Sequence, residues 1–218
     1  MFSLFTSIPQ LWRKYPAFFI LTGVMMLAVL PGVTHLPPMD RDEARYMQAS
    51  RQMVETGDVI TIRFQDELRA KKPAGIYWMQ SASAWLFGKD APASYRLPSV
   101  IGGFGIMLIT FMMARRMMPP MQATFAAAFM GLSLITAAEA RLAKTDAMLC
   151  LLIMVQQYAL WMITTLDRQG KYVSGRYALM LWVSLALGVL VKGPIAPAVL
   201  VLTMLGVILG ERRWQWVL

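Results

Sequence analysis

Carboxylates and guanidiniums crowd into Pro38-Met39-Asp40-Arg41-Asp42-Glu43-Ala44-Arg45-Tyr46, where five of nine residues are charged. A second group, Glu139, Arg141, Lys144 and Asp146, falls within eight residues, and Lys72 and Lys192 each precede a turn-forming residue. Carboxylates in such a setting can orient or activate an acceptor, or bind a divalent metal. Lysines and arginines beside them can hold a phosphate. A sugar donor carried on a lipid phosphate needs that mixture: cations for the phosphate leaving group and a carboxylate near the sugar or its acceptor. The same residue types also suit other chemistry, so the mixture alone does not single out sugar transfer.

These groups sit in an apolar chain. Of its 218 residues 57% are hydrophobic and 15% charged, whereas a soluble domain is about one-quarter charged. The composition is that of a membrane protein. The formal charge of +9 would suggest nucleic acid in a soluble domain. Here the excess lies largely in short loops between apolar runs, where the positive-inside rule accounts for it, and no nucleic-acid partner is expected. Cys150 is the only cysteine, which excludes an intramolecular disulfide. His35, the only histidine, stands at a helix end, where a solvated or capping role is the ordinary one. The first apolar run carries no small-residue cleavage pattern and so is not expected to be a cleaved signal peptide.

Apolar runs over 16–36, 97–114, 121–138, 147–166, 177–191 and 195–210 predict about six transmembrane helices, with Pro31 kinking the last turn of the first. Residues 37–96 form a long hydrophilic loop with nine Lys/Arg against eight Asp/Glu. Within it, Tyr46, Ala49 and Met53 recur at spacings of three and four, predicting an amphipathic helix over 42–56 that ends at Gly57. Asp40 and Glu43 have the spacing of a capping box. Residues 59–64 read as extended and Gln65-Asp66-Glu67 as a turn. Pro73 opens an aromatic-rich helix over 74–87, suited to the membrane interface.

Basic clusters at Arg13/Lys14, Arg115/Arg116, Arg168/Lys171/Arg176 and Arg212/Arg213 share one side if the spans alternate, and that side is the cytoplasm. The segments 37–96, 139–146 and 192–194 then share the outer face. Glu139, Arg141, Lys144, Asp146 and Lys192 should converge there on the level of Asp42. A proton-coupled transporter would keep carboxylates near mid-membrane; this arrangement favours a site at the surface. Each residue also has an ordinary reading: Asp42 and Asp146 as helix caps, Lys72 and Lys192 as snorkelling lysines, Arg45 as an i,i+3 partner of Asp42.

The run Arg41-Asp42-Glu43-Ala44-Arg45-Tyr46, then Gly57-Asp58 and Lys72-Pro73 followed by Tyr77-Trp78, resembles the first outer loop of bacterial lipid-linked-sugar transferases. These form the protein O-mannosyltransferase and lipid A aminoarabinose transferase superfamily, glycosyltransferase family 39-like. Arg96-Leu97-Pro98-Ser99, Asp146 and Lys192-Gly193-Pro194 fit the same pattern in the same order, over nearly the whole chain. The resemblance implies an all-α, GT-C-like multi-span helical bundle in a bacterial inner membrane. Its N-terminus would be cytoplasmic, and its periplasmic first loop would carry interfacial amphipathic helices. It implies a hexosyl- or pentosyltransferase moving sugar from a polyprenyl-phosphate donor to a lipid A, lipopolysaccharide or protein acceptor. Asp42, Glu43 and Asp146 would be the catalytic carboxylates. Arg45, Lys72, Lys192, Arg141 and Arg96 would hold the donor phosphate, Arg141 and Arg96 from position alone.

The pattern departs at Lys71, where aminoarabinose transferases commonly carry a glutamate that helps bind metal; the residue does not support a divalent metal there, and none of the site residues is assigned to one. Family members are usually longer, so residues 1–218 are expected to be the N-terminal transmembrane domain, without the later spans and the soluble outer domain. A transporter or flippase for a lipid-linked substrate, or a non-catalytic membrane subunit, would fit the same composition.

Overall fold

The computed structural model describes residues 15–69 and 72–211. The expected basic clusters at Arg13/Lys14 and Arg212/Arg213, and the departure at Lys71, lie outside the described residues. Nine helices are found within them: α1 (Pro16–His35), α2 (Arg41–Thr56), α3 (Gly75–Phe87), α4 (Pro92–Ala114), α5 (Pro120–Gly131), α6 (Leu134–Glu139), α7 (Asp146–Arg168), α8 (Gly175–Lys192) and α9 (Ile195–Glu211). One antiparallel ribbon joins α2 to α3, pairing β1 (Arg63–Phe64) with β2 (Glu67–Leu68).

The expected six spans are met in part. Four helices, α1, α4, α7 and α8, are long and apolar enough to cross a membrane, and α9 is shorter but apolar. The run over 121–138 is not one helix. It breaks at Ser133, whose hydroxyl donates to the Met130 carbonyl and accepts from the Thr136 amide, capping α6. The 12 residues of α5 reach about 18 Å at about 1.5 Å per residue, short of a hydrocarbon core of about 30 Å.

α7 is the central helix, packed most extensively on α8 and α4, while α1 lies against α4 and α5. The core between α1, α4 and α5 is built from Met25, Val29, Met107, Ala123 and Ala127. Small residues let the helices approach closely, as membrane helices require where no water drives them together. A Cβ on Gly102 of α4 would lie 2.7 Å from the Ala147 carbonyl carbon on α7. We therefore expect Gly102→Ala to lower stability by about 1–3 kcal/mol through overpacking, read as a lower unfolding midpoint in detergent. An unchanged midpoint would mean that α4 and α7 can part at no cost.

The loop over 37–96 folds as its periodicity demands. Tyr46, Ala49 and Met53 form the buried stripe of α2 and meet Ile62, Ile76 and Tyr77. Gly57 ends the helix with φ +72° and its amide bonded to the Met53 carbonyl, a conformation that costs glycine little. Gln52 clamps the ribbon turn from both sides: its Oε1 accepts from the Gln65 amide at 2.7 Å and its Nε2 donates to the Gln65 carbonyl at 3.1 Å. Gln65 itself holds a positive φ of 57°.

A candidate sugar-transfer site at one end of the bundle

Local sequence places the first site residues. Asp40 caps α2 by accepting from the Asp42 amide, which sets Asp42 in the first turn with its side chain in solvent. Asp42 meets Arg45 at 3.6 Å, with 57% and 36% of the two side chains exposed. One turn from Asp42, Tyr46 points inward and is buried. Burial pushes the Tyr46 hydroxyl up to about 12. Burial also raises Tyr77, against the opposing effect of Arg69, whose Nε donates to the Tyr77 hydroxyl at 2.8 Å. The Arg69 guanidinium stands 5.5 Å from the Tyr46 ring centre. This cation belongs to the site's surroundings, and the sequence reading passed over it.

The second part comes from α7 and α8. Lys192, in the last turn of α8, forms a short ion pair with Asp146, the first residue of α7. Gly193 then reverses the chain with φ +71°, and a Cβ there would come 4.0 Å from Pro73. Lys72, exposed and without an ion pair among the described residues, therefore sits beside the Lys192 turn. Gly75 fixes this proximity, because a Cβ on it would be 2.6 Å from the Leu190 carbonyl oxygen.

Lys144 ties the two parts together. Its ammonium pairs with Asp40 at 2.8 Å and with Glu139 at 3.7 Å. The hydrogen bond from Lys144 holds Asp40 below the usual carboxylate range, and the carboxylates Asp40 and Glu139 raise Lys144 against the effect of burial. Glu139 is different. Burial raises its carboxyl, with Lys144 opposing and Asp146 reinforcing, and its Oε2 is buried without a hydrogen-bond partner. Glu139 and Asp146 both line a cavity of about 430 Å³ whose remaining walls are mostly apolar, among them Ile106, Ile135 and Ile153.

The raised Glu139 carboxyl has a consequence for stability. The unfolded chain loses this proton near the ordinary glutamate value of 4.5, while the folded protein keeps it to higher pH. Stability then falls as pH rises from 4.5 through the folded value. Glu139→Gln should remove that fall, so unfolding midpoints of wild type and variant, measured against pH, should separate in the variant's favour as pH rises. Parallel curves would show that Glu139 titrates normally.

Two expected site residues are placed elsewhere. Glu43 and Arg96 were read as a catalytic acid and a phosphate ligand, but the structure buries both, at 0% and 1% side-chain exposure, paired at 2.8 Å. Glu43 Oε1 also accepts from the Ala143 amide and Oε2 from the Met39 amide. Arg96 donates to the carbonyls of Gly32, Val33, Leu36 and Pro37 at the end of α1. Both are thus buried and hydrogen-bonded within the protein, set apart from the exposed Asp42 and the partly exposed Arg45. Arg141 lies across α1, where Gly32 leaves it room: a Cβ there would be 2.9 Å from Arg141 Cδ. The structure thus gathers Asp42, Arg45, Lys72, Asp146 and Lys192 at one end, with Lys144, Asp40 and Glu139 between them. Among the described residues no three His, Cys, Asp or Glu side chains gather to hold a metal ion, and no step is assigned to one.

Four helices long and apolar enough to cross a membrane, with this cluster of carboxylates and cations at one end of the bundle, mark an integral membrane protein. The chain belongs to the dolichyl-phosphate-mannose-protein mannosyltransferase family, whose model matches residues 38–217. It is 27% identical over 204 residues to the undecaprenyl phosphate-alpha-4-amino-4-deoxy-L-arabinose arabinosyl transferase of Edwardsiella ictaluri, covering 89% of this chain and 36% of that one. A homologous transferase of Pseudomonas fluorescens is 28% identical over 201 residues, covering 90% and 35%. The crystal structure of ArnT from Cupriavidus metallidurans in the apo state shares the fold, with a TM-score of 0.76 at 24% identity. The same protein bound to undecaprenyl phosphate gives 0.75 at 23%. Each superposition covers 90% of this chain and 36% of ArnT. The chain spans about a third of the length of the curated relatives it matches.

Proposed function

We propose that this chain handles the donor in a glycosyltransferase that moves a sugar from a polyprenyl phosphate to an acceptor at the outer face of a bacterial inner membrane. The observation that carries the reading is the placement of the Asp42–Arg45 pair of α2 and the Asp146–Lys192 pair of α7 and α8 at one end of the bundle, with Lys144 bridging Asp40 and Glu139 between them, beside Lys72, which forms no ion pair among the described residues. Membership of a sugar-transferase family supports it, as do relatives named for undecaprenyl-phosphate-linked aminoarabinose. The basic clusters support an N-terminus on the cytoplasmic side. We take the acceptor to be a lipid or a protein.

In this reading Lys72, Lys192 and Arg45 hold the donor phosphate, and Asp146 keeps Lys192 aimed. The acceptor hydroxyl oxygen bonds to the anomeric carbon as the bond from that carbon to the phosphate oxygen breaks. The bonding pair leaves on the phosphate, where the lysines stabilise it, and the acceptor proton passes to Asp42. Glu43 and Arg96 act only through the scaffold.

The test is binding of polyprenyl phosphate to the reconstituted 218-residue chain, followed by transfer of radiolabelled sugar in membranes. Lys72→Met should weaken binding about tenfold, the value of one charge-assisted contact to phosphate. Absence of binding by wild type would overturn the donor reading. Vectorial movement of a lipid-linked sugar across vesicles, without transfer, would replace it with a flippase.

A further inference from the structure

We propose that the opposite end of the bundle carries a binding site for the phosphodiester headgroup of an anionic phospholipid. A cavity of about 550 Å³ opens there between α1, α4 and α7, lined by Tyr15, Phe18, Phe111, Arg115, Arg116 and Tyr158 among others. The two arginines follow the last turn of α4. Arg115 donates through Nη1 to the Met118 carbonyl at 2.8 Å, and its guanidinium stands 5.5 Å from the Tyr15 ring centre. Arg116 donates through Nε to the Tyr158 hydroxyl at 3.1 Å and stands 5.9 Å from that ring. Arg176 adds a third guanidinium nearby, 4.7 Å from the ring of Tyr177, whose ring is 6.5 Å from that of Tyr158.

Two features set this cluster apart from basic residues that merely reach for headgroups. Neither Arg115 nor Arg116 forms an ion pair within the described residues, although both line one cavity. In addition, the Arg115 Nε–H is buried and makes no hydrogen bond, although a buried donor on a charged group is costly to leave unmet. An arginine that only snorkels keeps its donors in water. Guanidinium geometry matches two oxygens of one phosphate, the partner that two arginines lining one cavity suit. The remaining walls decide which phosphate. Phe18 stacks on Phe111 at 4.1 Å between ring centres, and Tyr15 meets Phe111 edge-on at 5.4 Å. This rigid aromatic wall suits an acyl chain lying beneath the headgroup, as basic pockets between membrane helices hold lipid phosphates. A free phosphate would leave that wall bare. The site does not depend on the sugar-transfer reading, because it shares no residue with the Asp42–Asp146 end.

The experiment uses the full chain in phosphatidylcholine nanodiscs titrated with phosphatidylglycerol, reading the unfolding midpoint. A saturable rise is expected. Arg115→Gln/Arg116→Gln should weaken the apparent affinity about tenfold, while Lys171→Gln, a basic residue outside the cavity, leaves it unchanged. Equal weakening by both variants would reduce the effect to surface charge and overturn the site. Competition by inorganic phosphate at the same occupancy would assign it to a free anion, which also overturns the lipid proposal. Photoactivatable phosphatidylglycerol on wild type keeps the test independent of variant folding. Adducts should concentrate on residues 15–19 and 108–116, and an even spread around the bundle would refute the site.

Discussion

Arg96→Met is expected to destabilise the protein by about 3–5 kcal/mol, the cost of breaking a buried ion pair by removing one partner. Against a typical total of about 5–15 kcal/mol, that removes much of the folded population. The loss has two sources. Glu43, wholly buried, would lose its only ionic partner among the described residues. The carbonyls of Gly32, Val33, Leu36 and Pro37 would lose the donor that closes the end of α1. Glu43→Gln should cost less, since an amide keeps an oxygen for the Ala143 or Met39 amide. The pair of midpoints in detergent checks this, with intrinsic fluorescence reporting unfolding. A wild-type midpoint for Arg96→Met would show that the pair is not the tie between α1, α2 and the 139–146 loop.

Asp42→Asn should do the reverse: leave the fold intact and abolish most activity. Asp42 is more than half exposed, and its contact with Arg45 is loose at 3.6 Å, so its charge contributes little to stability. Its backbone amide, which Asp40 caps, is untouched by the change. If its carboxylate takes the acceptor proton, asparagine removes the base and transfer should fall at least about 100-fold. Donor binding, assigned to Lys72, Lys192 and Arg45, should change far less. The split between transfer and binding is the diagnostic reading. Equal transfer rates for wild type and Asp42→Asn would end its candidacy as the base.

The comparison of Glu43 with Asp42 shows where reading the chain stops. They are adjacent acids in a charged run, and residue type alone ranks both as candidates. In the helix they are rotated about 100° apart, so one faces water and the other faces Arg96, 53 positions away. Nothing local announces that partner. Gln80 was missed for the same reason. It is buried, accepts from Ser50 at 2.8 Å and donates to the Ala143 carbonyl at 3.1 Å, fixing the 139–146 loop from a helix read only as aromatic. Asp40 was read as a cap, which it is, but its bond to Lys144 spans 104 positions. The break at Ser133 had a local signal, a capping serine inside an apolar run, which apolarity outweighed.

Sequence by itself determined the membrane class, the amphipathic stripe of α2, the stops at Gly57 and Gly193, and the motif residues that mark the family. These follow from composition, period and backbone preference, which act over a few residues and need no partner. Tertiary structure alone decided which charges are buried and which stay exposed. It turned Glu43 and Arg96 inward, seated Arg141 against α1 and joined Asp146 to Lys192. It also left the Arg115 Nε–H without an acceptor at the far end. The physical reason is that an ionic group's role depends on what lies within a few ångströms of it, and in this bundle those neighbours come from distant turns of the chain.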